Sequence, residues 1–151
     1  MSGPIIHTPY DLGLGFKLGV NSPIRVSAYC LMESCQEQLN LFWELEGAEK
    51  PMLLIRFDSA LVVRVLDEMW SSTEIDPARW RGVDGSFARI IEGSEYPTGS
   101  DYLKALHSDA KHYEFITDDD CVDVIALDRP RAKLIEFEEL ESYRLKFPRL
   151  G

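Results

Sequence analysis

The chain has 151 residues, of which 45% are hydrophobic, and carries a formal net charge of −10 because 26 acidic residues outnumber 16 basic ones. This length and apolar content fit one folded domain over residues 1–151 with a single core. The acidic balance argues against nucleic acid and anionic membranes as partners, since phosphate binding depends on Lys and Arg, and favours a basic partner protein.

The cellular setting is predicted from what the chain lacks. No apolar run approaches the roughly 18 residues of a membrane-spanning helix, and the opening MSGPIIHTPYDLG lacks the basic and apolar regions of a signal peptide. The three cysteines, Cys30, Cys35 and Cys121, form no zinc-type double pair, which favours reduced thiols. We therefore expect a cytoplasmic protein without a disulfide, metal or cofactor.

The first half of the chain predicts strands after a loosely structured start. Residues 1–21 are rich in Gly and Pro and predict an extended or flexible arm, whose glycines do not match the dinucleotide spacing G-x-G-x-x-G. The polar stretch 32–38 is predicted as a loop, with a turn of helix as the alternative. Residues 60–69 are ambiguous between helix and strand, and we favour a strand because Val62, Val63 and Val65 are β-branched. Alternating or continuous apolar residues predict further strands at 24–31, 39–46, 52–57, 87–92, 112–117, 121–127 and 132–135.

The second half is organised around a predicted hairpin. Its two arms, His112 to Thr117 and Cys121 to Leu127, are separated by three consecutive aspartates, which suit an exposed turn. Helices are predicted at 101–107 and 136–146, the second with Phe137, Leu140 and either Tyr143 or the aliphatic stem of Arg144 along one apolar side. The chain as a whole predicts an α+β fold, in which about six or seven of the strands form a mainly antiparallel sheet and two helices pack on it.

Catalytic motifs are missing from the sequence. It has no G-x-S-x-G elbow, P-loop or kinase signature, and its three histidines lack the spacing of a zinc helix. These observations favour a protein that is not an enzyme. The alternative is a small enzyme or ligand-binding protein with a pocket between the sheet and the 70–85 loop, and the following residues are its candidates: Arg56, Arg64, Trp80 and His112.

The leading hypothesis is a non-enzymatic protein that binds a basic partner. From Asp109 to Asp128 there are seven acidic residues and one base, Lys111. The predicted partner-binding residues are Asp118, Asp119, Asp120, Asp123, Glu44 and Glu46. A small acidic chain of this kind is similar in general character to many interaction proteins, including immunity proteins that neutralise basic nuclease-type toxins. A weaker option is a homodimer formed through an exposed strand edge.

Overall fold

The computed structural model describes residues 6–19, 23–67, 86–92, 109–117 and 120–143. These residues are mostly antiparallel β-sheet, with nine strands in two sheets and a short helical segment. The strands are β1 Ile6–Pro9, β2 Arg25–Cys35, β3 Gln38–Glu46, β4 Met52–Phe57, β5 Ala60–Asp67, β6 Ala88–Glu92, β7 Lys111–Ile116, β8 Asp120–Ala126 and β9 Arg131–Ile135. The helical segment is a 3-10 turn, Phe137–Glu139, followed by helix α1, Leu140–Tyr143.

The two sheets pack face to face around one apolar core. One has the order β1-β6-β7-β8-β5 and the other the order β2-β3-β4-β9. Trp43 from β3 lies at their contact, with its ring 5.2 Å from Phe87 and 5.6 Å from Phe115. Because side chains alternate along a strand, Val122 and Val124 of β8 enter this core while Asp123 between them points to the other face of its sheet. Each sheet therefore has one face in the core and one outer face.

The predicted strands agree well with the observed ones, including the ambiguous stretch at residues 60–69. Ala60–Asp67 is a strand that pairs along its length with β8, as the three valines indicate. The predicted loop at 32–38 is wrong, because β2 continues to Cys35 and pairs there with Gln38. Only Gln36 and Glu37 turn the chain, and Gln36 has the left-handed φ of 56° that such a short turn requires.

The predicted α+β fold is confirmed only in that the described residues are mostly antiparallel β-sheet, and these strands form two sheets instead of the single sheet predicted. The helix predicted at 101–107 lies outside the described residues and stays a prediction. The helix predicted at 136–146 begins instead as a 3-10 turn, where Glu136 and Glu139 form a reciprocal capping box. Leu140 and Tyr143 pack on Phe42, Met52, Leu54 and Ile135, as the apolar spacing predicts. Phe137 does not join them, because the tighter turn leaves its side chain 52% exposed. Over the described ranges, no helix has the length and apolar character to cross a membrane.

Candidate functional site

A row of four charged residues crosses the outer face of the five-stranded sheet. The strand register places Arg89 beside Glu114, Glu114 beside Asp123, and Asp123 beside Arg64. Two carboxylates that lie directly opposite each other repel, and such pairs destabilise a sheet. Here the guanidinium groups at both ends of the row supply the compensating positive charge, so the row is balanced only when all four strands are in place.

Asp123 is bonded through both of its carboxylate oxygens. Arg64 donates to Asp123 Oδ2 from Nε at 3.3 Å and from Nη2 at 3.0 Å. His112 Nε2 lies 2.7 Å from the other oxygen, Oδ1. The Asp123 side chain has no exposed surface, so these contacts are protected from water and from competing ions. Asp123 is therefore held in place by two strands besides its own.

Glu114 is buried to the same degree on the neighbouring strand. Arg89 Nη1 lies 3.4 Å from Glu114 Oε1, and His7 Nδ1 lies 3.6 Å from the same oxygen. His7 belongs to β1 at the sheet edge, so the contact links β1 to β7 across β6. The polar set on this face, which we call the buried charge network, consists of His7, Arg64, Arg89, His112, Glu114 and Asp123.

The buried charge network includes atoms of the kind that bind metals. Ligand atoms of Glu114, Cys121 and Asp123 all lie within 4.8 Å of one another. A divalent cation there would place its charge next to Arg64 and Arg89, which already neutralise the two carboxylates. Charge compensation within the sheet therefore explains this juxtaposition better than a metal centre does.

The predicted pocket residues are only partly brought together. Arg64 and His112 converge on Asp123 within the buried charge network. Arg56 belongs to the other sheet, where its Nε lies 3.7 Å from Asp58 Oδ1. Trp80 and the rest of the 70–85 loop lie outside the described residues. The structure therefore supports a grouping of two of the four residues, within the sheet.

The predicted acidic contact residues also divide. Asp123 is wrong as a surface residue, because its position opposite Arg64 turns it into the buried charge network. Asp120 is half-buried in the hairpin turn, where Thr117 Oγ1 accepts a hydrogen bond from its backbone N–H at 3.0 Å. Asp118 and Asp119 lie outside the described residues. Glu44 and Glu46 are exposed on the other sheet, as their alternation with Trp43 and Leu45 predicts.

Glu44 and Glu46 lie beside the helical segment. On the outer face of β3, Asn40 and Phe42 are covered by α1, and Asn40 Nδ2 donates to the Tyr143 carbonyl at 2.8 Å. Lys50 in the β3–β4 turn lies 3.6 Å from Glu139, which ties this turn to the 3-10 turn. Exposed carboxylates occur on β3, in the β3–β4 turn and next to the exposed Phe137 in the helical segment. We call this set the acidic surface, and its members are Glu44, Glu46, Glu49, Phe137, Glu138 and Glu141.

The buried tyrosines give the fold a dependence on alkaline pH. Burial raises the pKa of Tyr113 above its usual 10.0, with Tyr10 nearby adding to the rise and Arg129 opposing it. The folded state thus favours the neutral phenol, so its contribution to stability is complete below pH 10.0 and is lost as the pH rises through the raised pKa. On going from below pH 10.0 to a pH near the raised pKa, we expect Tyr113→Phe to lose less unfolding free energy than the unaltered protein loses. Urea unfolding at several pH values measures this, and equal losses would contradict it.

The buried charge network was missed at the level of sequence, although a signal for it exists. Arg89, His112, Glu114 and Asp123 each interrupt an otherwise apolar strand, and an ionisable residue in such a place needs a partner. Fold and surface together define a two-sheet antiparallel β-protein with a sealed ionic network on one sheet and an exposed acidic surface on the other. Comparison with protein-family models, curated proteins and solved structures finds no match to this chain.

Proposed function

We propose that this protein is a non-enzymatic binding protein whose acidic surface engages a basic partner protein. The observation that carries the proposal is Phe137, a 52% exposed aromatic side chain in a helical segment where Glu138 and Glu141 are also exposed. Protein interfaces commonly combine an apolar or aromatic centre with a polar rim. Phe137 supplies such a centre, and Glu44, Glu46, Glu49, Glu138 and Glu141 supply the rim.

The charge of the described surface supports the same partner class. Glu139 lies 3.6 Å from Lys50, and five other carboxylates of this region are exposed to solvent. A rim of one sign steers an oppositely charged protein toward it and raises the association rate. A nuclease-type toxin with a basic nucleic-acid cleft has the required charge, and an immunity-type inhibitor acting in the cytoplasm would cover that cleft. The immunity role is the specific form of this proposal.

Two variants with the same charge change test where the partner binds. The first, Glu44→Gln with Glu46→Gln and Glu138→Gln, neutralises part of the acidic surface. The second, Asp118→Asn with Asp119→Asn and Asp120→Asn, neutralises the hairpin aspartates. The partner is first captured from lysate of the source cells on immobilised protein, eluted with rising salt and identified by mass spectrometry. Association rates are then measured with the purified partner at several salt concentrations.

We expect the first variant to slow association by about tenfold at low salt and to flatten its salt dependence, because three steering charges are lost. The second variant should change the rate less. A larger effect of the second variant would move the binding surface to the hairpin. Phe137→Ala should accelerate dissociation by about tenfold or more, as for a central aromatic contact. Unchanged kinetics in both the first variant and Phe137→Ala would contradict the proposal.

A further inference from the structure

A cavity of about 660 Å³ lies under the loop formed by residues 10–18. The loop is attached at both ends to the start of β6. Tyr10 N–H donates to the Ala88 carbonyl at 2.9 Å, and Phe87 N–H donates to the Leu18 carbonyl at 3.1 Å. The loop therefore closes over Phe87, which forms the floor of the cavity and contacts Trp43 in the core.

The loop presents apolar side chains on alternate residues. Its even-numbered positions are half-buried or buried, pack against the core and line the cavity, and they are Tyr10, Leu12, Leu14, Phe16 and Leu18. Its odd-numbered positions, which include Asp11 and Lys17, are exposed and line the cavity as well. Gly13 and Gly15 adopt left-handed φ values of 76° and 85°, which reverse the chain twice without a side chain in the way. The loop therefore bends at these two glycines between its attachment points at Tyr10 and Leu18.

The space is partly open to solvent, and its lining is mainly apolar. Protein interiors pack closely and contain few voids larger than a water molecule, whereas ligand sites typically measure about 300–1,000 Å³ and are lined mainly by apolar side chains. Side chains that point inward without filling the space leave it open for another molecule. The described lining fits a ligand site in both size and chemistry.

We infer that this cavity binds a small, uncharged, mainly apolar molecule with aromatic or alicyclic rings. A charged ligand is disfavoured, because the half-buried lining side chains are apolar and would not repay its desolvation, and the charged lining residues Asp11 and Lys17 are exposed. The lining includes two hydroxyl-bearing residues, Ser86 and Tyr10, and burial raises the pKa of Tyr10 so that its hydroxyl stays protonated. A ligand with one hydrogen-bonding group could pair with that hydroxyl while its rings contact Leu14, Phe16 and Phe87. This site is separate from the acidic surface and does not depend on the proposed function.

The test uses N-phenyl-1-naphthylamine, a neutral aromatic probe with a single N–H donor whose fluorescence rises in apolar surroundings. The full chain is titrated with the probe, and Leu14→Trp fills the cavity from the loop. The matched control is Leu127→Trp, the same change at an apolar side chain that is 37% exposed and does not line the cavity. Leucine methyl NMR of the unaltered chain provides a second measurement that needs no variant.

We expect saturable one-to-one binding that Leu14→Trp weakens at least tenfold and Leu127→Trp leaves unchanged. The methyl signals of Leu12, Leu14 and Leu18 should shift on titration, and that of Leu127 should not. Absence of saturable binding would overturn the inference, as would equal binding by the two tryptophan variants or methyl shifts confined to residues outside the loop.

Discussion

Asp123→Ala should lower the free energy of unfolding by about 3 kcal/mol, as is typical when one member of a buried ion pair is removed. The substitution removes the carboxylate that contacts both the Arg64 guanidinium and the His112 ring. We choose the lower end of the usual range because the Arg64 side chain is 25% exposed and water can partly solvate it. Urea unfolding followed by circular dichroism measures the change.

The matched control for this prediction is Asp109→Ala, since Asp109 is an exposed aspartate. It should change the unfolding free energy by no more than about 0.5 kcal/mol. The double variant Arg64→Met with Asp123→Leu should be less destabilised than Asp123→Ala, because it removes both charges and leaves apolar groups of similar size. If Asp123→Ala cost no more than Asp109→Ala, the carboxylate would not be buried against Arg64 and the register between β5 and β8 would be in doubt.

Phe115→Ala should cost about 4 kcal/mol of unfolding free energy, within the usual range for truncating a buried phenylalanine. The ring is 1% exposed and lies between the sheets, with its centre 5.6 Å from Trp43 and 5.7 Å from Phe87. Its removal leaves a cavity that both sheets line, so neither can close the space without shifting against the other. Domains of this kind are stable by about 5–15 kcal/mol, so the loss is a large share of the total.

Phe137→Ala makes the same chemical change at a side chain that is 52% exposed. It should change stability by no more than about 0.5 kcal/mol while weakening partner binding. Thermal and urea unfolding of the two variants under one set of conditions provide the comparison. Equal destabilisation would contradict the two-sheet packing, because Phe115 and Phe137 would then have similar surroundings.

The local sequence pattern correctly predicted strands whose own residues favour β-structure. Met52–Phe57 has the predicted boundaries, with Pro51 before it and Asp58 after it. Ala60–Asp67 is a strand for the reason its valines indicate. The error at 32–38 has a different origin, because the polar residues of that stretch give little sign of a strand. β2 extends there since β3 offers it hydrogen-bonding partners, and tertiary pairing overrides weak local preference.

The candidate sites were less accessible from sequence. Glu44 and Glu46 were identified as exposed because they alternate with apolar neighbours on one strand. Asp123 was misassigned because its burial depends on Arg64, 59 residues away in the chain. Phe137 was predicted to face the core at helical spacing, and the capping turn that exposes it depends on two glutamates at its borders.

By itself, the sequence determined that this chain is acidic, rich in antiparallel strands and divided at recognisable turns, because periodicity and turn chemistry act over a few residues. Only the tertiary structure decided that the strands form two sheets and that Arg89, Glu114, Asp123 and Arg64 form one buried row. Strand order and register bring Arg89 to Glu114, 25 positions away, and Arg64 to Asp123, 59 positions away. Local sequence pattern carries no information over such separations. The same long-range pairing decides which charges meet on this sheet, whereas the acidic surface has members on β3 of the other sheet.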